Sequence, residues 1–537
     1  MSTVEHIGQN RGNALARASL WANSLAVRAA DWMKDHAKAC VCAATVLCLG
    51  LRMAYLGDKS LWIDEIWSLR IAQLPWHSFG WELQNQDPNS SLYYSLLHLW
   101  LNIGRSEACL RSLSVFFAAV TIPVVYAVGK RMMGTLEGLA AASLMVINLF
   151  HIQWSQEARG YSLLVLGVTL ATLLFVRSIE SPTLANWSIY CAVSVLSIYV
   201  HLFAGLVLAA HWASLIFLRP KDIPWRRWIQ SNFAIFIFAL PLLCLTYVRS
   251  AAPFVPLDWL PRPTLHDVYD AFYQLAGNAN YPESHGGKSL VCFYLMLCIL
   301  ALVSIYESAR LVGRSPELWS TGLLFCWLAV PAGLIFGVSL LQPTYVSRYL
   351  LVSVPALVLL GAKGLARMRP RWFMAAVVIF AMLSETAGLS RYYQYRERFQ
   401  EWRAVARLVI GRAQPGDGMI FCVAPGRLLF DYYADPWRGS GASIPVAVYP
   451  DLPDFNNNPH ALDYLPAWSD SQLKMSVSNH PRIWLIVYHD FFGTTERARD
   501  RFKATLGGMF TNVNAERING VSIDLYSEPR QENQLPH

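Results

Sequence analysis

Two carboxylates stand side by side in Leu61-Trp62-Ile63-Asp64-Glu65-Ile66-Trp67-Ser68, just after the first long apolar run. Ionisable groups at a bilayer boundary are costly unless paired, solvated or lining a cavity, so such residues are functional candidates by default. Neighbouring helix positions do not share a face, so one acid of the pair is expected to face a cavity while the other meets solvent or backbone. A partly desolvated carboxylate holds a proton more readily and suits a general base. The structural alternative is an acidic first helical turn that satisfies free amides. A second group is Ser155-Gln156-Glu157-Ala158-Arg159-Gly160-Tyr161. Glu157 and Tyr161 share a helix face and Arg159 points elsewhere. Glu157 can orient an acceptor or support Asp64, and Arg159 can meet a phosphate; a local ion pair of little worth is the alternative. The third is Tyr345-Val346-Ser347-Arg348-Tyr349, where an arginine flanked by hydroxyls suits a phosphate leaving group or, equally, anchors at headgroup level. Of the histidines near apolar boundaries (His98, His151 and His201), His201 in Tyr199-Val200-His201-Leu202-Phe203 is the best placed for a site role. No pair has the spacing of a zinc site on one helix, so no metal is expected and no cofactor is required.

These residues hang on a strongly apolar chain. Of 537 residues, 54% are hydrophobic and 15% charged, with mean hydropathy +0.31, against about 25% charged for a soluble domain. The expected class is a polytopic α-helical membrane protein with soluble mass attached. The net charge of +8 comes from short basic clusters between apolar runs, which set topology and do not suggest nucleic-acid binding. Nine of ten cysteines lie in or beside apolar runs, and the distal region holds only Cys422, so it has no internal disulfide.

A span needs about 20 mostly apolar residues. Candidates fall near 39–56, 112–129, 136–151, 161–176, 187–203, 204–218, 230–247, 290–308, 319–340, 349–366 and 372–388, about 11 transmembrane helices. Residues 1–38 read as a basic cytoplasmic arm before an uncleaved first span. Clusters such as Lys130/Arg131, Arg226/Arg227 and Lys363/Arg367/Arg369/Arg371 share one side, which puts the N-terminus in the cytoplasm and the C-terminus outside. All three candidate motifs then gather on the outer face. Within the first outer loop (57–111), Trp62–Leu74 and Leu92–Ile103 have helical spacing and are expected along the interface, with Asp87-Pro88-Asn89-Ser90 as a turn between them. Beyond Arg391 the pattern changes to a periplasmic α/β domain (391–537). Helices are expected at Glu401–Gly411 and near Arg497–Leu506, and strands at Met419–Val423, Ile444–Tyr449, Ile483–Tyr488 and Val521–Tyr526.

The Asp-Glu motif is followed in order by Leu92-Tyr93-Tyr94-Ser95-Leu96-Leu97-His98-Leu99-Trp100, Gly104-Arg105-Ser106-Glu107, His151-Ile152-Gln153-Trp154-Ser155-Gln156-Glu157-Ala158-Arg159-Gly160-Tyr161 and Ser347-Arg348-Tyr349-Leu350. Over residues 39–390 this order resembles the bacterial branch of the protein O-mannosyltransferase and aminoarabinose-transferase superfamily, membrane glycosyltransferases of the GT-C fold. The resemblance implies a bacterial inner-membrane enzyme that transfers a sugar from a polyprenyl-phosphate carrier to a lipid, glycan or protein acceptor on the periplasmic face, with inversion. It implies Asp64 as base, with Glu65 beside it and Glu157 as a second acid, and Arg348 at the carrier phosphate. Arg159, Tyr161, His201, Tyr349, Tyr94 and His98 complete the substrate-side candidates. The aminoarabinose enzymes carry Arg three residues after the Asp and Glu-Lys-Pro before the next helix; this chain has Trp67 and Gln86-Asp87-Pro88. The phosphate contacts of those residues, and with them that donor and a lipid A acceptor, are therefore not expected. The competing readings are a transporter or flippase of a polyprenyl-linked lipid, and a glycan ligase or oligosaccharyltransferase. Acids clustered at one face and the lack of an internal repeat weigh against transport.

Overall fold

Each of the eleven apolar segments falls on a helix. The structure is a computed structural model and describes residues 20–85, 88–218, 223–250, 262–278, 287–312, 316–394, 400–422, 424–449, 470–488 and 494–530. Half of the expected arm (1–19), and Gln86 and Asp87, lie outside the described residues. The protein is a multi-pass membrane protein. Among the described residues, seven helices are long and apolar enough to cross a bilayer. Two more candidate spans are bent pairs: Leu20–Asp35 with Ala37–Met53 at 89°, and Thr135–Ile147 with Leu149–Ser155 at 58°. Leu184–Val200 and Ala204–Leu218 are shorter apolar helices.

The chain divides into two units. The first comprises residues 1–54, 88–93 and 111–394 and holds the candidate spans, Glu107–Met132 from Arg111 onward. Its most enclosed element is Val354–Arg367, in which every residue from Val354 to Ala362 is buried. The run Val-Pro-Ala-Leu-Val-Leu-Leu-Gly-Ala is apolar on all sides, as an enclosed helix must be. Close helix approach depends on missing side chains. A methyl group on Gly129 would come within 2.7 Å of Gly138 Cα, so Glu107–Met132 and Thr135–Ile147 pack backbone to backbone. Gly134 makes the turn between them at φ +126°, a conformation open to glycine. Asn148 produces the 58° bend: its side chain accepts the His151 N–H at 2.9 Å and caps Leu149–Ser155.

The second unit comprises 55–87, 94–110 and 395–537. Its centre is a five-stranded sheet: β1 (Gly418–Phe421), β2 (Val446–Tyr449), β3 (Ile483–Tyr488), β4 (Phe510–Ile518) and β5 (Val521–Pro529), in the order β2-β1-β3-β5-β4. β1 is parallel to β2 and β3, while β5 is antiparallel to β3 and β4. β3, Ile-Trp-Leu-Ile-Val-Tyr, is buried at every position, as a central strand covered on both faces should be. Asn519-Gly520, both at positive φ, close the β4–β5 hairpin. β4 has no counterpart among the expected strands. Its sequence is mostly polar and its residues largely exposed, so it carries no apolar signal and is held by its pairing with β5. The first loop forms Ile63–Ala72, Trp76–Asn85 and Ser91–Trp100, the first and last on the expected helical segments. Residues 55–87 and 94–110 of that loop pack with the α/β domain.

Candidate functional site

In the first unit, polar residues collect where apolar helices break. Gln156 ends the Leu149–Ser155 helix and is tied three ways: its amide donates to Arg52 O and Ala54 O, each at 2.9 Å, and accepts from Tyr392 OH at 2.8 Å. This fixes the turn that carries Glu157, Arg159 and Tyr161. Glu157 is buried, and Tyr161 opens the next helix with its ring 5.3 Å from Trp154. The Arg159 carbonyl accepts from Ser114 Oγ at 3.0 Å, and that hydroxyl lies 3.1 Å from Tyr93 OH.

Arg348 sits in the 3₁₀ turn Ser347–Ser353. Its guanidinium lies 5.6 Å from the Trp154 ring and 5.8 Å from the Tyr349 ring, within cation–π range. His201 lies in the break between Leu184–Val200 and Ala204–Leu218. Asn89 holds that break, accepting the Leu202 N–H at 2.9 Å with its Nδ2 3.3 Å from His201 Nε2. The imidazole packs on Phe203 at 4.8 Å and on Tyr349 at 5.6 Å. The positive charges of Arg159 and Arg348 both act on this ring. Arg159, His201, Arg348 and Tyr349 thus form one cluster: two cations and an imidazole in an aromatic frame. Such a cluster can bind an anion, and the imidazole adds a hydrogen-bonding group.

Trp154 and Asn89 are members the sequence analysis did not single out. Asn89 was legible only as part of a turn signal; nothing local says that it reaches residues more than a hundred positions away.

The remaining candidates lie in the second unit. Asp64 is the second residue of Ile63–Ala72 and half-buried. Glu65 next to it is fully buried and accepts the Trp62 N–H at 3.4 Å, closing the helix start. The two acids therefore part, as adjacent helix positions require. Tyr94 is fully buried. His98 Nδ1 lies 2.8 Å from the Ala72 carbonyl, with its ring 4.1 Å from Trp76 and 5.1 Å from Phe79. It ties the end of one loop helix to another. Among the described residues, no three of His, Cys, Asp and Glu come together as metal ligands.

This architecture matches solved membrane proteins along nearly its whole length. ArnT from Cupriavidus metallidurans in the apo state superposes with TM-score 0.56 at 12% identity, covering 91% of this chain and 98% of that one. ArnT bound to undecaprenyl phosphate gives 0.57 at 12% identity, over 90% and 97% of the two chains. The fold is GT-C. The oligosaccharyltransferase AglB from Archaeoglobus fulgidus, in complex with an inhibitory peptide and a dolichol-phosphate, shares this GT-C architecture with TM-score 0.52 at 11% identity, over 94% of this chain and 75% of that one. No family model matches the sequence, and no curated protein matches it either. At such identities the shared property is the GT-C fold.

Proposed function

We propose that the chain is a membrane glycosyltransferase that takes a sugar from a polyprenyl-phosphate carrier and passes it, with inversion, to an acceptor hydroxyl on the periplasmic face of a bacterial inner membrane. The observation that carries this reading is the Arg159–His201–Arg348 cluster at the ends of apolar helices in a GT-C fold. A carrier of this class has a single anionic headgroup on a long apolar tail, and both parts find a match: guanidiniums for the phosphate, helices for the tail. The ArnT and AglB structures with polyprenyl and dolichyl phosphates support the choice of ligand.

In the reaction the acceptor oxygen attacks the anomeric carbon and loses its proton to Asp64. The bond from that carbon to the phosphate oxygen breaks, and the carrier phosphate leaves with the electron pair. Arg348 and Arg159 neutralise the charge that grows on the departing oxygen. Cations already fixed in place need not reorganise in the transition state, which is the usual source of large electrostatic catalysis. Asp64 holds the base role on the order of the motifs and its half-buried place at a helix start. Glu157, buried in its turn, supports the acceptor side.

The test is transfer in proteoliposomes from radiolabelled polyprenyl-phosphate sugars to a membrane extract. Wild type is expected to move label into a new product, and Asp64→Asn to lower the rate by about 10²–10⁴. Transfer by Asp64→Asn within tenfold of wild type would remove Asp64 as base. Labelled lipid crossing the bilayer with no donor consumed would replace the reading by a transporter.

A further inference from the structure

The second unit contains a cleft of about 1210 Å³ that the proposed chemistry does not use. One wall is the Ile63–Ala72 helix and another the Trp402–Arg412 helix; the Arg105–Glu107 turn and the end of Ala424–Ala434 close it. Five arginines line it, at 70, 105, 403, 407 and 438, against three acids, Glu107, Asp431 and Asp435.

Part of that charge is structural. Arg403 donates to Glu107 at 2.6 Å and to Gly57 O at 2.8 Å, while Tyr433 OH donates to the same carboxylate at 3.1 Å. Arg438 pairs with Asp431 at 3.0 Å. Arg105 and Arg407 differ. Both are exposed, line the cleft, and have no carboxylate partner among the described residues. Beside them Trp437 leaves 40% of its surface open on the cleft wall. Guanidiniums bind phosphate and carboxylate through two parallel hydrogen bonds. An open indole offers a flat apolar face of the size of a pyranose ring.

We propose that this cleft binds an anionic saccharide, a sugar chain bearing phosphate or carboxylate groups, with Arg105 and Arg407 on the anions and Trp437 against a ring. For a transferase the bound chain is the acceptor; that word rests on the reading above, whereas the binding does not.

The test is titration of the full-length protein in zwitterionic-lipid nanodiscs. The probes are an oligogalacturonate, a phosphorylated oligomannose, a neutral maltooligosaccharide of equal length, and inorganic phosphate. At least one anionic saccharide is expected to bind 10-fold or more tightly than the neutral one, with the carboxylated and phosphorylated probes separating the two anion types. Arg105→Glu with Arg407→Glu should weaken that binding at least 10-fold. Trp437→Ala should weaken saccharide binding and leave inorganic phosphate unchanged. The proposal is overturned if the neutral chain binds equally well, if no saccharide binds, if the double variant binds as wild type, or if inorganic phosphate competes as strongly as the saccharide. Binding is read without turnover: wild type that binds the saccharide but transfers no label fails the transferase reading alone, and wild type that transfers label but binds no saccharide fails this one alone.

Discussion

Among its contacts, the Arg348 guanidinium lies over two ring faces, 5.6 Å from Trp154 and 5.8 Å from Tyr349. A flat, delocalised cation suits that frame and a compact ammonium does not. Arg348→Ala is therefore expected to lower single-turnover transfer by about 10²–10³. Arg348→Lys should recover only part of it; full recovery would mean that charge alone matters and the aromatic frame does not. At this scale the sequence separated the players imperfectly. Asp64 and Glu65 stand side by side in the sequence, and only the structure shows Glu65 turned inward to the Trp62 amide. His201 was legible as a boundary histidine, but the two arginines that act on it come from distant turns of the chain.

Among the elements, β1 and β3 depend on one buried acid. Asp417 precedes β1, and its carboxylate accepts from Arg482 at 2.8 and 2.6 Å, from Trp484 Nε1 at 2.9 Å and from the Gln414 N–H at 3.0 Å. Burial alone would raise its pKa, but these donors outweigh it and hold the carboxyl below the usual range. A depressed folded-state pKa stabilises above the unfolded value and is lost as pH falls through the folded one. Asp417→Ala is thus expected to cost on the order of 3 kcal/mol at pH 7, read as a lower midpoint in thermal scans of the full-length protein. The gap to wild type should narrow below about pH 4; a gap independent of pH would show that packing, not charge, carries the effect. The central strand β3 was legible because six consecutive apolar residues allow little else. The Asp417–Arg482 tie was not, since its members stand 65 positions apart.

Over the whole molecule, the α/β domain and most of the first loop fold as one unit. Glu401 binds Ser60 through its side chain, Tyr433 OH accepts the Leu61 N–H at 2.7 Å, and Arg403 reaches Gly57, Asp58 and Glu107. Deleting residues 395–537 would leave these loop groups unmatched. The truncated protein is expected to be cleaved by protease within 55–110 under conditions where the full chain resists. Resistance equal to wild type would mean that the loop folds unaided.

The sequence by itself determined what local chemistry dictates. Runs of apolar residues had to become helices because a bilayer leaves backbone groups no other partner. The run at 483–488 had to be a strand, and the GT-C character lay in the order of short motifs along 39–390. Tertiary structure decided what depends on distant partners. It chose which acid of the Asp64–Glu65 pair turns inward, brought Arg159 and Arg348 to His201, and joined the first loop to the last domain. It also made an arginine-lined cleft from four separate stretches of chain, because charge and shape at a site come from residues far apart in sequence.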